Sequence, residues 1–233
     1  MIQLNLTVKS RKGESSLAFP VYRIVNAGYT SRDKQALQKH IEELRQKGVP
    51  APRTIPTLYP VASYLIVTDG TVEVVEERNS GEVEFVLLLN EHELLIGVGS
   101  DHTDREMETI SILKAKQACP NVMSSTVWPY KELEDHWDEL ILRSWVLKEG
   151  KRILYQEGQV SQLMSPEDLI LFVKERLVDH NMNNLIIYSG TIPTVTGEIM
   201  SGDAFEAELY DPITDDVLQC KYNVRLLDYL TEQ

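Results

Sequence analysis

The sequence predicts a β-rich α+β fold, and three observations predict it. Short apolar segments alternate with polar residues along most of the chain. Asp, Asn, Ser and Gly turn signals separate them, and only three stretches carry helix-start signals. At 233 residues the chain is long enough to bury a sizeable core. The organisation expected is an N-terminal segment, 1–70, carrying one helix and packed onto a main domain, 71–233.

The elements follow in order. Ile2, Leu4, Leu6 and Val8 alternate, which reads as a half-exposed strand. Over 31–47 the spacing of Leu37, Ile41 and Leu44 gives an apolar helical stripe. Thr30 and Asp33 suit its N-terminal cap, and Gly48 ends it. VPAPRTIPTLYP (49–60) has four prolines, a density that blocks helix and central strand alike, so an extended crossing is expected. Strands dominate 63–90, with turns at Asp69 and Gly70 and at Asn79, Ser80 and Gly81. A second helix is expected within 105–116. A hairpin then joins 140–147 to 152–155 around Glu149 and Gly150. Ser165, Pro166 and Asp168 start the best-capped helix. Strands return at 185–188, 204–209 and 222–226.

Composition narrows the function classes. Twenty-three Lys and Arg stand against 36 Asp and Glu, a net charge of −13 spread along the chain, and this disfavours nucleic-acid binding. Cys119 and Cys220 are too few for a disulfide framework and fit reduced thiols in a cytosolic protein. MIQLNLTVKS lacks a signal-peptide core, and aliphatic runs such as FVLLL (85–89) are far too short to span a bilayer. A soluble, cytoplasmic protein that binds neither nucleic acid nor membrane is expected. A Ser/His/Asp hydrolase of the G-x-S-x-G type and the dinucleotide and P-loop fingerprints are all missing.

Chemistry concentrates in two places. In GEVEFVLLL (81–89) side-chain alternation puts Glu82 and Glu84 on one face with Val86 and Leu88. A solvated strand end after a turn explains that pair on strand geometry alone. SDHTDREME (100–108) adds Asp101 at a glycine-flanked strand end. Glu82, Glu84 and Asp101 together make an oxygen-rich set suited to a hard divalent ion such as Mg²⁺, whereas zinc prefers imidazole or thiolate. His102 would face away from Asp101 on an extended chain and reads as structural. Among the remaining candidates, Asp135, His136, Trp137 and Asp138 read as a polar turn with Trp137 as packing anchor. His92 and His180 read as exposed.

The order of these motifs resembles the fumarylacetoacetate hydrolase superfamily. The resemblance rests on Glu-x-Glu (82–84), the segment SDHTDREME, Ala115 and Lys116, and QEG (156–158). It continues through SGTIP (189–193) and Gly202 with Asp203. Near the N-terminus, Gly28 with Tyr29 and the helix element HIEE (40–43) extend it, so it covers about residues 25–226. It implies a mixed β-sandwich or roll with a few peripheral helices, and Mg²⁺ or Mn²⁺ held by Glu82, Glu84 and Asp101. It also implies a homodimer. The implied substrate is a 2-oxo or 1,3-dicarbonyl carboxylate that chelates the metal, acylpyruvate-like, cleaved at a carbon–carbon bond by hydrolysis through a metal-stabilised enolate.

By the same resemblance, Lys116 stabilises oxyanion charge, with Lys114 as the neighbouring alternative. Arg105, Glu108 and Thr191 meet the substrate, and His40 with Glu43 activates water. Spacing alone reads His40 and Glu43 as a solvated helix edge. Glu108 stands where the family often has glutamine, and Ile192 is inserted before the proline of the SGTIP loop, so the family's substrates do not transfer directly. Decarboxylation, isomerisation and dehydration of a 2-oxo acid use the same implied chemistry, and a non-catalytic metabolite-binding protein is the contrasting expectation.

Overall fold

The computed structural model describes residues 2–46, 52 and 54–230, except the side chains at 36, 39, 40, 43, 44 and 46. The N-terminal part contributes strands β1 (Ile2–Ser10), β2 (Gly13–Val21) and β3 (Arg23–Gly28), helix α1 (Lys34–Gln46) and strand β4 (Thr57–Val61). Next come β5 (Ile66–Val67), β6 (Thr71–Val74), β7 (Asn79–Ser80), β8 (Val83–Leu89), β9 (Leu94–Asp101) and β10 (Thr103–Asp104). Helices α2 (Arg105–Ile110) and α3 (Ile112–Ala118) lead into β11 (Asn121–Met123) and β12 (Thr126–Pro129). The chain closes with the hairpin β13 (Ile141–Lys148) and β14 (Lys151–Gln159), helix α4 (Pro166–Arg176), and strands β15 (Leu185–Tyr188), β16 (Ala204–Asp211) and β17 (Asp216–Leu226).

Among the described residues the strands form two main sheets. The larger runs β2-β1-β12-β9-β8-β15-β3-β4, with β11 pairing both β9 and β5. The smaller runs β14-β13-β16-β17-β6, and β7 pairs with β10 beside them. Strands as far apart in sequence as β1 and β15 therefore share the large sheet, while the C-terminal β16 and β17 lie in the smaller one. The pleat of β8 separates two cores: Val83, Phe85 and Leu87 pack in the cluster that includes Leu142, Phe205 and Leu209, while Val86 and Leu88 join Leu6, Phe19 and Tyr188 on the other face.

Local chemistry explains most elements. Ser165 accepts a hydrogen bond from the Asp168 amide and Pro166 opens α4, as the sequence predicts. Pro60 sits on β4, the edge strand of its sheet path, where a missing amide donor is tolerated. Glu149 and Gly150 turn the β13–β14 hairpin with positive φ. Trp137 is an anchor, edge-on to Phe85 at 5.0 Å between centroids. Both cysteines are buried and free. No described helix is long and apolar enough to cross a membrane.

Three local expectations differ from the structure. The helix expected within 105–116 breaks at Ser111, which turns extended and accepts the Lys114 amide to start a second helix. Asn79 and Ser80 form a short strand against β10 rather than a turn, because backbone groups of Thr103 and Asp104 stand opposite them. Thr30 does not cap α1. Its hydroxyl donates to the Ser189 carbonyl, and Asp33 accepts the Gln35 amide at the helix start.

Candidate metal centre

Strand register gathers the carboxylates. β8 and β9 pair antiparallel with Val83 opposite Ser100 and Glu84 opposite Gly99, and the Asp101 amide donates to the Glu82 carbonyl at 3.2 Å. Glu82, Glu84 and Asp101 therefore share one face across two strands, and their carboxylate oxygens lie within 4.8 Å of one another. Gly99 lets neighbouring atoms pack closely on that face. A Cβ there would stand 2.5 Å from the Val122 carbonyl oxygen and 2.9 Å from the Tyr188 ring.

Donors hold the carboxylates unequally. Arg105 braces the outer edge: Nη2 donates to Glu82 at 2.9 Å, Nη1 to Glu108 at 2.9 Å and Nε to Ser80 Oγ at 2.8 Å. Lys116 Nζ donates to Asp101 Oδ2 and stands 3.9 Å from Glu82 Oε2. Glu84 accepts the Gly190 amide at 2.8 Å, a bond that Gly190's positive φ (84°) aims. Lys114, the alternative to Lys116, is exposed.

The deepest atoms are the least satisfied. Asp101 is fully buried, yet its Oδ1 has no hydrogen-bond partner. Asn121 lies opposite Asp101 on β11 and donates through Nδ2 to Asn26 Oδ1 at 2.9 Å. Asn26 Nδ2 and Asn121 Oδ1 are likewise buried without partners. Burial, then the neighbouring Asp101 charge, pushes the Glu84 pKa well above its ordinary value. Burial also raises Asp101, with Lys116 opposing it. For Lys116 burial acts downward, but Asp101, Glu82 and Glu84 outweigh it and hold the ammonium charged.

The charges do not balance. Glu82, Glu84, Asp101 and Glu108 carry four negative charges when ionised, and Arg105 and Lys116 return two. One divalent cation would supply the difference. An all-oxygen donor set with a buried, unpartnered carboxylate oxygen fits a hard ion of the Mg²⁺ or Mn²⁺ kind.

The other sequence-predicted residues are placed as follows. Glu108 meets the site through Arg105. Thr191 adjoins it, but its hydroxyl donates to the Val83 carbonyl and accepts Gln156 Nε2, both at 2.7 Å. His40 and Glu43 fall on α1, and their side chains lie outside the described residues. His102 is structural. Asn79 Nδ2 donates to the Glu76 and Glu77 carbonyls, so its Oδ1 accepts from His102 Nε2, and Tyr222 donates to Nδ1. Burial and Arg105 push that imidazole down to about 3, so it stays neutral.

Sequence reasoning missed Asn26 and Asn121. A lone asparagine in the apolar strand RIVNAG (23–28) was the available signal. Tyr29 was noticed only within a motif, although its φ of 60° is uncommon for a bulky residue and its phenol feels both Glu108 and Glu82.

Known proteins bear on this arrangement. The sequence pattern of the family described as "Protein of unknown function (DUF2848)" matches residues 27–222. No curated protein sequence matches the chain closely enough to count as a relative. Among solved structures, Cg1458 superposes with a TM-score of 0.61 at 12% identity, covering 97% of this chain and 100% of that one. A hexagonal form of 2-keto-3-deoxyarabinonate dehydratase gives 0.62 at 14% identity, over 88% of this chain and 75% of that one. The same dehydratase complexed with magnesium and 2,5-dioxopentanoate gives 0.58 at 16% identity, over 88% and 73%. The β-rich α+β fold of the fumarylacetoacetate-hydrolase type, expected from the motifs, is the fold observed.

Proposed function

Because the chain belongs to the family described as "Protein of unknown function (DUF2848)" and carries this acidic centre, we propose that it is a divalent-metal-dependent enzyme acting on 2-oxo carboxylates. The observation that carries the reading is the convergence of Glu82, Glu84 and the fully buried Asp101, whose Oδ1 makes no close hydrogen bond among the described residues. Similarity of fold to a dehydratase complexed with magnesium and 2,5-dioxopentanoate supports it. The cation would be held by Glu82, Glu84 and Asp101. When bound, it supplies a Lewis acid that draws electron density from the 2-oxo group.

The chain's own residues do the rest. Arg105 holds Glu82 in place and partly neutralises it, so the carboxylate stays ionised beside two others. Lys116, kept charged in a buried setting, is the donor for oxyanion charge that develops on the substrate. The closed hydrogen-bond arrangement of Thr191 and Gln156 stiffens the loop that carries Gly190. Thr191 offers the substrate carboxylate its backbone amide.

The reaction assigned first is hydrolysis of a carbon–carbon bond in an acylpyruvate-like compound. His40, oriented by Glu43, takes the proton from a water that adds to the acyl carbonyl. The carbon–carbon bond then breaks, its electron pair leaving on the 2-oxo fragment, and the proton taken from water is returned to that carbon to give pyruvate. The magnesium-bound dehydratase neighbour favours a second reading, loss of water from a 3-deoxy-2-oxo acid. Incubation of the Mn²⁺-loaded protein with an acylpyruvate and with 2-keto-3-deoxy-arabinonate separates the two. Release of pyruvate with a carboxylic acid, lost in His40→Ala, is expected for hydrolysis, and turnover of only the sugar acid overturns it. We also assign a homodimer, and light scattering that returns a 26.6 kDa particle would remove that assignment.

A further inference from the structure

Exposure grades across the acidic centre. The Glu82 and Glu108 side chains are 20% and 13% accessible, while Asp101 and Glu84 at the floor are 0% and 1%. A ligand that reaches the floor with its 2-oxo carboxylate end leaves its other end at the rim, beside Glu108. The two cations of the centre, Arg105 and Lys116, already serve carboxylates. Each guanidinium nitrogen of Arg105 already donates once: Nε to Ser80, Nη1 to Glu108 and Nη2 to Glu82. Lys116 is taken by Asp101, with Glu82 at 3.9 Å. Asp104 adds negative charge nearby but is turned to cap α2 through the Glu106 and Met107 amides, and Lys114 and Glu106 are exposed. Tyr29 and Tyr59 feel the Glu108 charge, and burial raises both phenols, so they stay protonated and neutral.

We propose that Glu108 is a specificity-determining residue that makes the site select 2-oxo monocarboxylates with an uncharged, hydroxylated or apolar tail against 2-oxo dicarboxylates. The inference rests on the functional reading above. With one divalent cation bound, the four carboxylates and two cations reach neutrality, and a monoanionic 2-oxo acid leaves a single negative charge. A second carboxylate at the rim would face Glu108 and Glu82, two carboxylates that share the single guanidinium of Arg105. Like charges placed together in a partly desolvated site penalise one ligand without touching the other, which is discrimination by repulsion.

The test compares two acids of equal length, 2-oxopentanoate and 2-oxopentanedioate, which differ only in the distal methyl or carboxylate. Each is titrated calorimetrically into the full chain loaded with Mn²⁺. The wild type is expected to bind the monoacid at least about tenfold more tightly. Glu108→Gln keeps an acceptor for Arg105 but removes the charge, and should shrink that ratio about tenfold, whereas Glu108→Asp should preserve it. Equal affinities in the wild type, or a ratio unchanged in Glu108→Gln, overturn the inference and leave the functional reading standing. Mn²⁺ uptake with no binding of either acid overturns both. A wild-type ratio near one overturns the inference even if a variant fails to fold, and Glu108→Ala replaces Glu108→Gln should the latter not fold.

Discussion

Asp101 closes β9 and Asp211 closes β16, and both side chains are buried at the end of a strand. Their surroundings are opposite. Asp211 accepts from His136 Nε2 at 3.0 Å, from the Thr214 hydroxyl at 2.8 Å and from the Ile213 and Thr214 amides. Burial acts to raise its pKa, but these donors outweigh it and leave the carboxyl below its ordinary value. Among the described residues Asp101 has one charged donor, Lys116, with the Asn26 amide acting on it too, and two further carboxylates within 4.8 Å. Its pKa is raised, as is that of Glu84. A carboxylate that serves the fold is surrounded by donors from its own loop. Asp101, a metal ligand on the reading proposed above, is left short of them, at a cost the fold carries.

The strongest way to break this comparison is Glu84→Gln, which keeps an acceptor for the Gly190 amide but removes one charge from the floor. Mn²⁺ affinity should fall by about 100-fold or more, while the metal-free melting temperature stays level or rises. A calorimetric titration showing unchanged Mn²⁺ affinity would remove Glu84 from the metal set. Asp211→Ala should do the reverse. Stripping the acceptor from His136 and the 213–214 turn should cost about 2–4 kcal/mol, lowering the melting temperature by roughly 5–10 °C, with Mn²⁺ binding intact. Loss of metal binding in that variant would mean the two regions are one unit.

The smallest effect sharpens the contrast through pH. Folded Glu84 keeps a proton that the unfolded chain releases above its ordinary value of 4.5, so metal-free wild type loses stability as pH rises through that window. The advantage of Glu84→Gln should therefore grow upward from about pH 4.5. Asp211 is the opposite case. Its contribution is present above its ordinary value of 3.8 and disappears as pH falls through its lower folded value, so the deficit of Asp211→Ala should shrink only in that acid range. Urea unfolding across pH 3–7 checks both signs, and parallel curves for the two variants would end the distinction.

Much of the acidic cluster was legible because it depends on short-range geometry. Glu82 and Glu84 two residues apart must share a face, and Asp101 at a glycine-rich strand end must follow from the same hairpin. Asp104 could likewise be read as the residue that starts α2, since capping needs only the two amides beyond it. Asn26 and Asn121 could not be read. They are 95 residues apart, and only the curl of the large sheet lets their amides meet behind Asp101. The commitment of Thr191 to Val83 and Gln156 was hidden for the same reason.

Alternation, caps, turn residues and the surplus of acid belong to the sequence by itself, because each is decided by neighbours within a few positions. It determined a β-rich fold with an oxygen-rich cluster near residues 82–101. Which cation answers which carboxylate was decided only in three dimensions. Ser111 breaks one expected helix in two, which leaves Lys114 in solvent and buries Lys116 against Asp101, while Arg105 is drawn between Glu82 and Glu108. Those pairings depend on long-range strand register and on loss of water around the charges, and neither is a property of any short stretch of chain.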